Sequence, residues 1–418
     1  MRKDTKYKFN IWNFTKPKTL YNSGMAPMWR SKKKCKLLGI AVDEDGWEFV
    51  PGENIDGEIT YKRASLRKCK EKRGAFAKVF EEDAKKAGGG QAGGGEAKQY
   101  VKRMKENAQY YCLSFTLTFD YSRDTVFVAY SRPYKYTQMI LDLLKNENAL
   151  MEQDPERYPE EKRTEAARWN GEAEIVLSNY LVYTRKLMCL TLSGLPVPIL
   201  TVTACKHLGK KMSKREGVFL TSRVHPGETN SSFVFQGMLE RLTKANDPIA
   251  QYLRENFVFK MVPCLNPDGV LKGNYRSSFA GVDLNRQWIV PGEFLHPTIF
   301  HAKKEIEKLY KERPVLLYCD LHGHSRKKNS FVYGCNRAAN GGFSSWTKVR
   351  LLPRILARNS AVFDITACKF KVEKGKLGTG RVVVWKEFEV TNSFTLENSF
   401  HGYDYGDTFK EYSVYDFK

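Results

Sequence analysis

The sequence lacks any long hydrophobic run. No uninterrupted apolar stretch approaches the roughly 18 to 20 residues that a membrane helix needs. The start, MRKDTKYKFNIW, also lacks the apolar stretch of a signal peptide. We therefore expect a soluble, cytoplasmic protein without membrane contact.

Cysteine is present, but never in a spacing typical of metal binding or disulfide exchange. The nine cysteines form no CxxC pair, and their odd number fits reduced thiols better than a disulfide framework. We therefore do not expect zinc held by cysteines.

Acidic residues are scarce relative to basic ones. The chain has 69 lysines and arginines against 47 aspartates and glutamates, which gives a formal net charge of +22. Such a charge attracts polyanions. Nucleic acids and acidic protein tails both qualify, and composition does not choose between them. The sequence contains no nucleic-acid recognition motif, so nucleic acid is not the expected partner.

Hydrophobic patterning changes along the chain. The first quarter is basic around short apolar segments, which predicts a small β-rich region, and AKKAGGGQAGGGEAKQ has the composition of a flexible insertion. The stretch YYCLSFTLTFDYSRDTVFVAY alternates on both sides of a turn-prone segment and predicts a β-hairpin. From about residue 180, apolar strands interleave with amphipathic helices, which predicts an α/β domain whose ligands bind beyond the carboxyl ends of its strands.

One such strand end carries a histidine and a glutamate three residues apart. The apolar run GVFLTS leads directly into RVHPGE, so His225 and Glu228 lie between a strand and a helix. The simpler interpretation is a pair of polar residues in an ordinary turn. The spacing also lets an imidazole and a carboxylate converge on one cation.

A second strand end supplies the third ligand that a metal site would need. His322 follows the apolar strand in VLLYCDLHGHS, and His324 is an alternative two residues later. Proximity to the strand favours His322. Two histidines, one glutamate and an open fourth position form the ligand set of catalytic zinc.

Between these ligands lies a loop rich in turn formers that carries Arg276, Asp283, Asn285 and Arg286. It could be an irregular surface loop. Beside a metal, its guanidinium groups could instead bind a carboxylate or stabilise an oxyanion, and Asp283 could orient a zinc-bound imidazole.

The stretch TNSFTLENSFHGYD contains a candidate general base. Glu397 lies on a short alternating run among apolar residues. Loss of solvent there would raise the pKa of its carboxyl group toward that of a useful base.

These residues, in this order, resemble the zinc metallocarboxypeptidases, and in detail the cytosolic carboxypeptidase subfamily that removes glutamates from protein tails. The matching stretches are RVHPGETNSS, VPCLNPDGV, GNYR, GVDLNRQW, DLHGHS, GTGRVVVW and SFTLENSF. The resemblance implies a mixed α/β fold, with an eight-stranded type of sheet flanked by helices and preceded by a partial β-sandwich domain.

The resemblance also implies the roles of individual residues. One zinc ion per chain would be bound by His225, Glu228 and His322. Glu397 would be the general base that activates the zinc-bound water, and Arg276 would stabilise the oxyanion.

For the substrate, the resemblance implies three further contacts. Asn285 and Arg286 would hold the terminal carboxylate. Arg381, in GTGRVVVW, would lie at the floor of the specificity pocket, where the subfamily carries an arginine for a glutamate side chain.

The expected domain organisation departs from that of the family in several places. We expect a partial β-rich domain over 1–132, with a basic, glycine-rich insertion at about 62–105. We expect the catalytic domain over 133–418, with a solvated, charged insertion at about 147–175 and without the family's final helix.

The implied function is zinc-dependent removal of glutamate from C-terminal or branched chains of proteins such as tubulin, in the cytoplasm and at microtubules, cilia or basal bodies. Two alternatives stay open. The first is a catalytically inactive relative that binds microtubules, and the second is a zinc amidohydrolase that cleaves small N-acyl amino acids.

Overall fold

The computed structural model describes residues 2–14, 16–40, 47–50, 59–63, 111–166, 172–177, 180–336, 342–413 and 416. The chain divides into two compact units, Met1–Ser131 and Arg132–Lys418. Most of the expected glycine-rich insertion at about 62–105 lies outside the described residues.

The described part of the first unit is rich in β-structure. Its elements are β1 (Lys6–Phe14), β2 (Met28–Ser31), α1 (Lys32–Leu37), β3 (Glu48–Phe49), β4 (Thr60–Arg63), β5 (Tyr111–Thr118) and β6 (Val126–Ala129). The six strands form two antiparallel sheets, in the orders β1-β5-β4 and β3-β2-β6.

The predicted hairpin between β5 and β6 is wrong, because the two strands lie in different sheets. Strand β5 pairs with β1 and β4, and the rings of Phe9 and Phe115 stack across the β1–β5 pair with centroids 5.3 Å apart. Strand β6 pairs with β2. The local turn signal was real, but pairing of strands distant in sequence decided the partners.

The second unit is built on one mixed sheet. Its strands are β7 (Ala173–Leu177), β8 (Leu181–Leu190), β9 (Pro196–Thr203), β10 (Glu216–Ser222), β11 (Phe257–Val262), β12 (Val315–His324), β13 (Ser330–Tyr333) and β14 (Asn392–Ser399). Their order is β13-β14-β12-β10-β11-β9-β8-β7, and β14, β12, β10 and β11 are parallel. The short strands β15 (Gly402–Tyr405) and β16 (Thr408–Glu411) pair separately.

Helices cover both faces of this sheet. They are α2 (Tyr136–Met151), α3 (Glu160–Ala166), α4 (Asn230–Thr243), α5 (Pro248–Asn256), α6 (Pro267–Lys272), α7 (Pro297–Glu312), α8 (Gly342–Asn359) and α9 (Gly380–Glu387). Along β10, Val218 and Leu220 join a core that includes α2 and α4, whereas Phe219 joins a second core with α7 and α9. A sheet buried on both faces explains the continuous apolar runs of its central strands.

The expected charged insertion begins inside helix α2, and the expectation that it is solvated is wrong at that end. Glu147 is 1% exposed, and its carboxylate accepts hydrogen bonds from Arg185 Nε at 2.7 Å and Nη2 at 3.0 Å. Tyr183 donates a third bond at 2.8 Å. The fully paired carboxylate belongs to the core.

No helix in the described part of the chain is long and apolar enough to cross a membrane. The parallel strands β10, β12 and β14 end at the same edge of the sheet, and His322 is directly opposite Glu397 in the β12–β14 register. The candidate site lies at this edge.

Candidate metal and substrate site

The turn after β10 is held by a buried arginine that the sequence did not reveal as important. Arg223 adopts a left-handed backbone conformation with φ of 55°. Its guanidinium donates to the carbonyl of Pro226 at 2.8 Å, to Ser232 Oγ at 2.8 Å and to the carbonyl of Tyr134 at 3.0 Å. These contacts fix the backbone between the strand and helix α4.

The glycine of the same turn is required by close backbone approach. Gly227 N–H donates to the carbonyl of Tyr275 at 2.8 Å. A side chain at position 227 would place its Cβ only 2.5 Å from the ring of Tyr275. The turn therefore needs glycine at this position, and the contact anchors the GNYR segment beside His225 and Glu228.

The structure brings the three predicted metal ligands together. His225 Nδ1 lies 2.9 Å from Glu228 Oε1, and His322 Nδ1 lies 2.9 Å from Glu228 Oε2. The three residues are buried, and one ligand atom from each lies within 4.8 Å of the others. The alternative ligand His324 instead accepts a hydrogen bond from Lys327 N–H at 2.9 Å.

Each histidine is oriented from its outer nitrogen by an aspartate. His225 Nε2 lies 3.1 Å from Asp283 Oδ1, and His322 Nε2 lies 2.7 Å from Asp320 Oδ2. Thr221 Oγ1 donates to the other oxygen of Asp320 at 2.8 Å. With the outer nitrogens so occupied, both Nδ1 atoms face the cluster, which is the usual arrangement of histidines that bind zinc.

Sequence reasoning identified Asp283 but missed Asp320. The available signal was spacing, because residues two apart on a strand share a face and Asp320 precedes His322 by two.

The charges of the cluster favour a bound cation. Burial alone would raise the pKa of the Glu228 carboxyl group, but His225 and His322 hold it well below its usual range. Burial opposes protonation of both imidazoles, yet their carboxylate neighbours raise the pKa of each. Buried carboxylates around imidazoles form a donor set that suits zinc.

Glu397 lies beside this cluster on β14. Burial raises the pKa of its carboxyl group to about 7, with the charge of His322 opposing that rise and the charge of Glu228 adding to it. A carboxyl group with this pKa can accept and return a proton near neutral pH.

The two arginines of the loop converge on Asp283. Arg276 donates from Nε to Asp283 Oδ2 at 2.9 Å, and Arg286 Nη1 lies 3.7 Å from the same oxygen. Burial would raise the pKa of Asp283, but its hydrogen bond with His225 and the neighbouring positive charges hold the pKa well below its usual range. Asp283 thus connects His225, a predicted metal ligand, to Arg276, predicted to stabilise the oxyanion, and to Arg286, predicted to bind the terminal carboxylate.

Asn285 makes contacts in three directions. Its backbone N–H donates to Asp283 Oδ1 at 2.9 Å, and its Nδ2 lies 3.3 Å from His322 Nε2. Its Oδ1 accepts from Gly380 N–H at 3.0 Å. The amide group therefore lies between the predicted metal ligand His322 and the start of helix α9.

Arg381 lies in the first turn of helix α9, and its guanidinium is buried. Its Nη1 donates to the carbonyl of Gly334 and lies 3.5 Å from Cys335 Sγ. Its Nε is buried and has no hydrogen-bond partner among the described residues. An unsatisfied cationic donor is costly inside a protein, so this side chain is suited to an anionic ligand.

Comparison with known proteins agrees with this geometry. A sequence profile of the family described as "Zinc carboxypeptidase" matches residues 184–341. Human cytosolic carboxypeptidase 1 is 37% identical over 97% of this chain and 29% of its own length. Human cytosolic carboxypeptidase 2 is 35% identical over 96% of this chain and 36% of its own length. The chain belongs to the zinc carboxypeptidase family.

Solved structures described as carboxypeptidases share the fold. The putative carboxypeptidase A from Shewanella denitrificans matches with a TM-score of 0.62 and 19% identity, over 100% of this chain and 83% of that one. The metallo-carboxypeptidase from Burkholderia cenocepacia matches with a TM-score of 0.56 and 20% identity, over 73% and 70%. The predicted fold, a mixed eight-stranded sheet flanked by helices and preceded by a β-rich region, is confirmed.

Zinc, the predicted cofactor, is confirmed by the family of the chain and by the His-Glu-His group able to hold the ion. The chain spans about a third of the length of the curated relatives it matches, between 29% and 38%. Its activity and partners are therefore matters for proposal.

Proposed function

We propose that this chain is a zinc-dependent carboxypeptidase that removes glutamate residues from the C-terminal or branched ends of acidic proteins. The observation that carries the proposal is the buried group of His225, Glu228 and His322 with Glu397 beside it. The similarity to cytosolic carboxypeptidases supports the same reaction class.

In this proposal His225, Glu228 and His322 hold the zinc, which when bound polarises a carbonyl group and lowers the pKa of water. Asp283 and Asp320 keep the two imidazoles in place from their outer nitrogens. The orientation of the ligands is therefore set before the substrate arrives.

Glu397 moves the proton. Its carboxylate, whose pKa is raised by burial, takes a proton from the attacking water and passes it to the nitrogen of the leaving amino acid. Arg276, which approaches from the loop, places a positive charge where the carbonyl oxygen becomes negative.

The choice of glutamate follows from the cations around the site. Asn285 and Arg286 hold the terminal carboxylate, and Arg381 receives the side-chain carboxylate. The buried Nε of Arg381 without a partner supports this role. The net charge of +22 supports acidic protein tails as substrates.

We further propose that the acidic tails belong to tubulin or a similarly polyglutamylated protein, and that the chain acts in the cytoplasm, at microtubules, cilia or basal bodies. Support comes from the name of the cytosolic relatives and from the basic composition. No membrane and no nucleic-acid partner is proposed.

The test is glutamate release from a polyglutamylated tubulin-tail peptide by the purified chain. We expect release that a zinc chelator abolishes, and a loss of at least about 100-fold in Glu397→Gln, because the proton carrier is then absent. Full activity in Glu397→Gln would overturn the mechanism.

Two other outcomes would redirect the assignment. Sedimentation with microtubules without any glutamate release would indicate an inactive binding relative. Fast turnover of N-acyl amino acids, with none on peptides, would indicate the amidohydrolase.

A further inference from the structure

The loop before helix α9, residues 374–380, packs directly on the segment that carries the predicted carboxylate-binding pair. Gly380 N–H donates to Asn285 Oδ1 at 3.0 Å, and Trp288 N–H donates to the carbonyl of Gly378 at 3.2 Å. A Cβ at position 378 would lie 2.5 Å from the carbonyl oxygen of Arg286. The 374–380 loop is therefore part of the substrate region.

Within this loop the backbone at Lys376 is well fixed. Its carbonyl accepts hydrogen bonds from Thr379 N–H at 3.1 Å and from Thr379 Oγ1 at 2.8 Å. The residue closes a short 3₁₀ turn, Lys374–Lys376. The lysine side chain thus extends from a rigid base beside Arg286.

The side chain of Lys376 lies in a positive environment. Burial lowers the pKa of its ammonium group, and the charges of Arg286 and Arg276 lower it further, against weaker opposition from Glu373 and Glu397. Within the described residues, no carboxylate lies within ion-pair distance of this ammonium.

The neighbouring arginines differ from Lys376 in this respect. Arg276 and Arg286 share Asp283, at 2.8 Å and 3.7 Å from its Oδ2. Asp283 thus pairs with two of these three cations, whereas among the described residues Lys376 has no ion-pair partner, and Glu373 and Glu397 act on it only from a greater distance. A positive surplus held half-buried in a substrate region is suited to an additional anion.

We propose that Lys376 binds a second substrate carboxylate, that of the acidic residue immediately before the scissile bond. Arg286 and Arg381 account for both carboxylates of the departing glutamate in the proposed function, on which this inference rests. Glu397, which must face the scissile bond, lies within electrostatic range of Lys376. Lys376 would make the site selective for consecutive glutamates over a single terminal glutamate.

The test measures binding, so that it does not depend on turnover. In a zinc-loaded Glu397→Gln background, the affinity for a peptide ending Glu-Glu is compared by calorimetry with that for the same peptide ending Gln-Glu. We expect about a tenfold preference for Glu-Glu, as for one charge-assisted contact. Lys376→Met should abolish the preference and Lys376→Arg should keep it.

Lys374→Met is the matched control, because this exposed lysine occupies the same turn and should leave the preference unchanged. Three results would overturn the inference: a preference that survives Lys376→Met, an equal loss of affinity for both peptides, or no preference in the parent protein. If the peptide ending Glu-Glu is preferred but the unmodified chain releases no glutamate, the proposed function is contradicted. The inference that Lys376 binds the second carboxylate would then still hold.

Discussion

At the scale of single residues, the aspartates that contact the outer nitrogens of His225 and His322 should influence the affinity for zinc, which can be measured directly. Asp320 is fully buried and receives hydrogen bonds from His322 and Thr221. A charged carboxylate there makes the imidazole a stronger donor to a metal.

We therefore expect Asp320→Asn to weaken zinc binding by about tenfold or more, because the charge behind His322 is lost while the shape is kept. Competition with a coloured zinc chelator measures the affinity. Asp404→Asn, which alters an exposed carboxylate paired with Lys328 at 2.8 Å, serves as control. Equal affinities in the two variants would show that Asp320 does not influence the metal.

Arg381 should determine the preference for glutamate. Arg381→Leu should reduce kcat/KM for a terminal glutamate by about 100-fold and alter that for apolar termini far less, because an unpaired carboxylate would then be buried. Peptides differing only in the last residue provide the comparison, with the exposed Arg354→Leu as control. An equal loss for both kinds of terminus would contradict this role.

Much of the site at the residue scale could be predicted, because His225, Glu228 and His322 lie at strand ends next to turn formers. Arg223 could not, since the sequence does not show which charged residues are buried, and for Asp320 the only signal was its spacing of two residues from His322. Their partners are a carbonyl group and side chains from distant segments.

At the level of elements, helix α2 illustrates the same difficulty. The charge-rich segment predicted to be solvated begins in the last turn of this helix, yet Glu147 packs against β8 with Arg185. Local composition did not show that a partner strand brings the opposite charge.

We expect Glu147→Gln to lower the free energy of unfolding by about 3 kcal/mol, because the charge of Arg185 then stays buried without its counterion. Urea denaturation followed by circular dichroism gives the value. Glu152→Gln, at the exposed end of the same helix, should change stability by no more than about 0.5 kcal/mol. Similar values for both variants would show that the buried pair adds little.

At the scale of the whole molecule, the periodicity after residue 180 was sufficient to predict the mixed sheet, because strands buried on both faces are apolar throughout. The hairpin prediction failed because β5 and β6 pair with strands that precede them by about 100 residues. Contacts of that range leave no signature in local alternation.

The charge balance of the chain leads to a prediction at this scale. Raising salt from about 50 to 500 mM should lower kcat/KM about tenfold for long acidic peptides, because ions screen the long-range attraction of a chain with net charge +22. Steady-state rates on a neutral peptide with one terminal glutamate should change little. Parallel salt dependence for both peptides would exclude a contribution from the global charge.

The contacts of Asp283 link the binding of the metal to the binding of an anionic ligand. One carboxylate contacts His225 through Oδ1 and both Arg276 and Arg286 through Oδ2. A ligand that draws either guanidinium away leaves more of the negative charge of Asp283 to His225. Thermodynamic reciprocity then requires that the metal and an anionic ligand strengthen each other's binding by the same factor. The chain would thus hold its ion most firmly while a tail is bound.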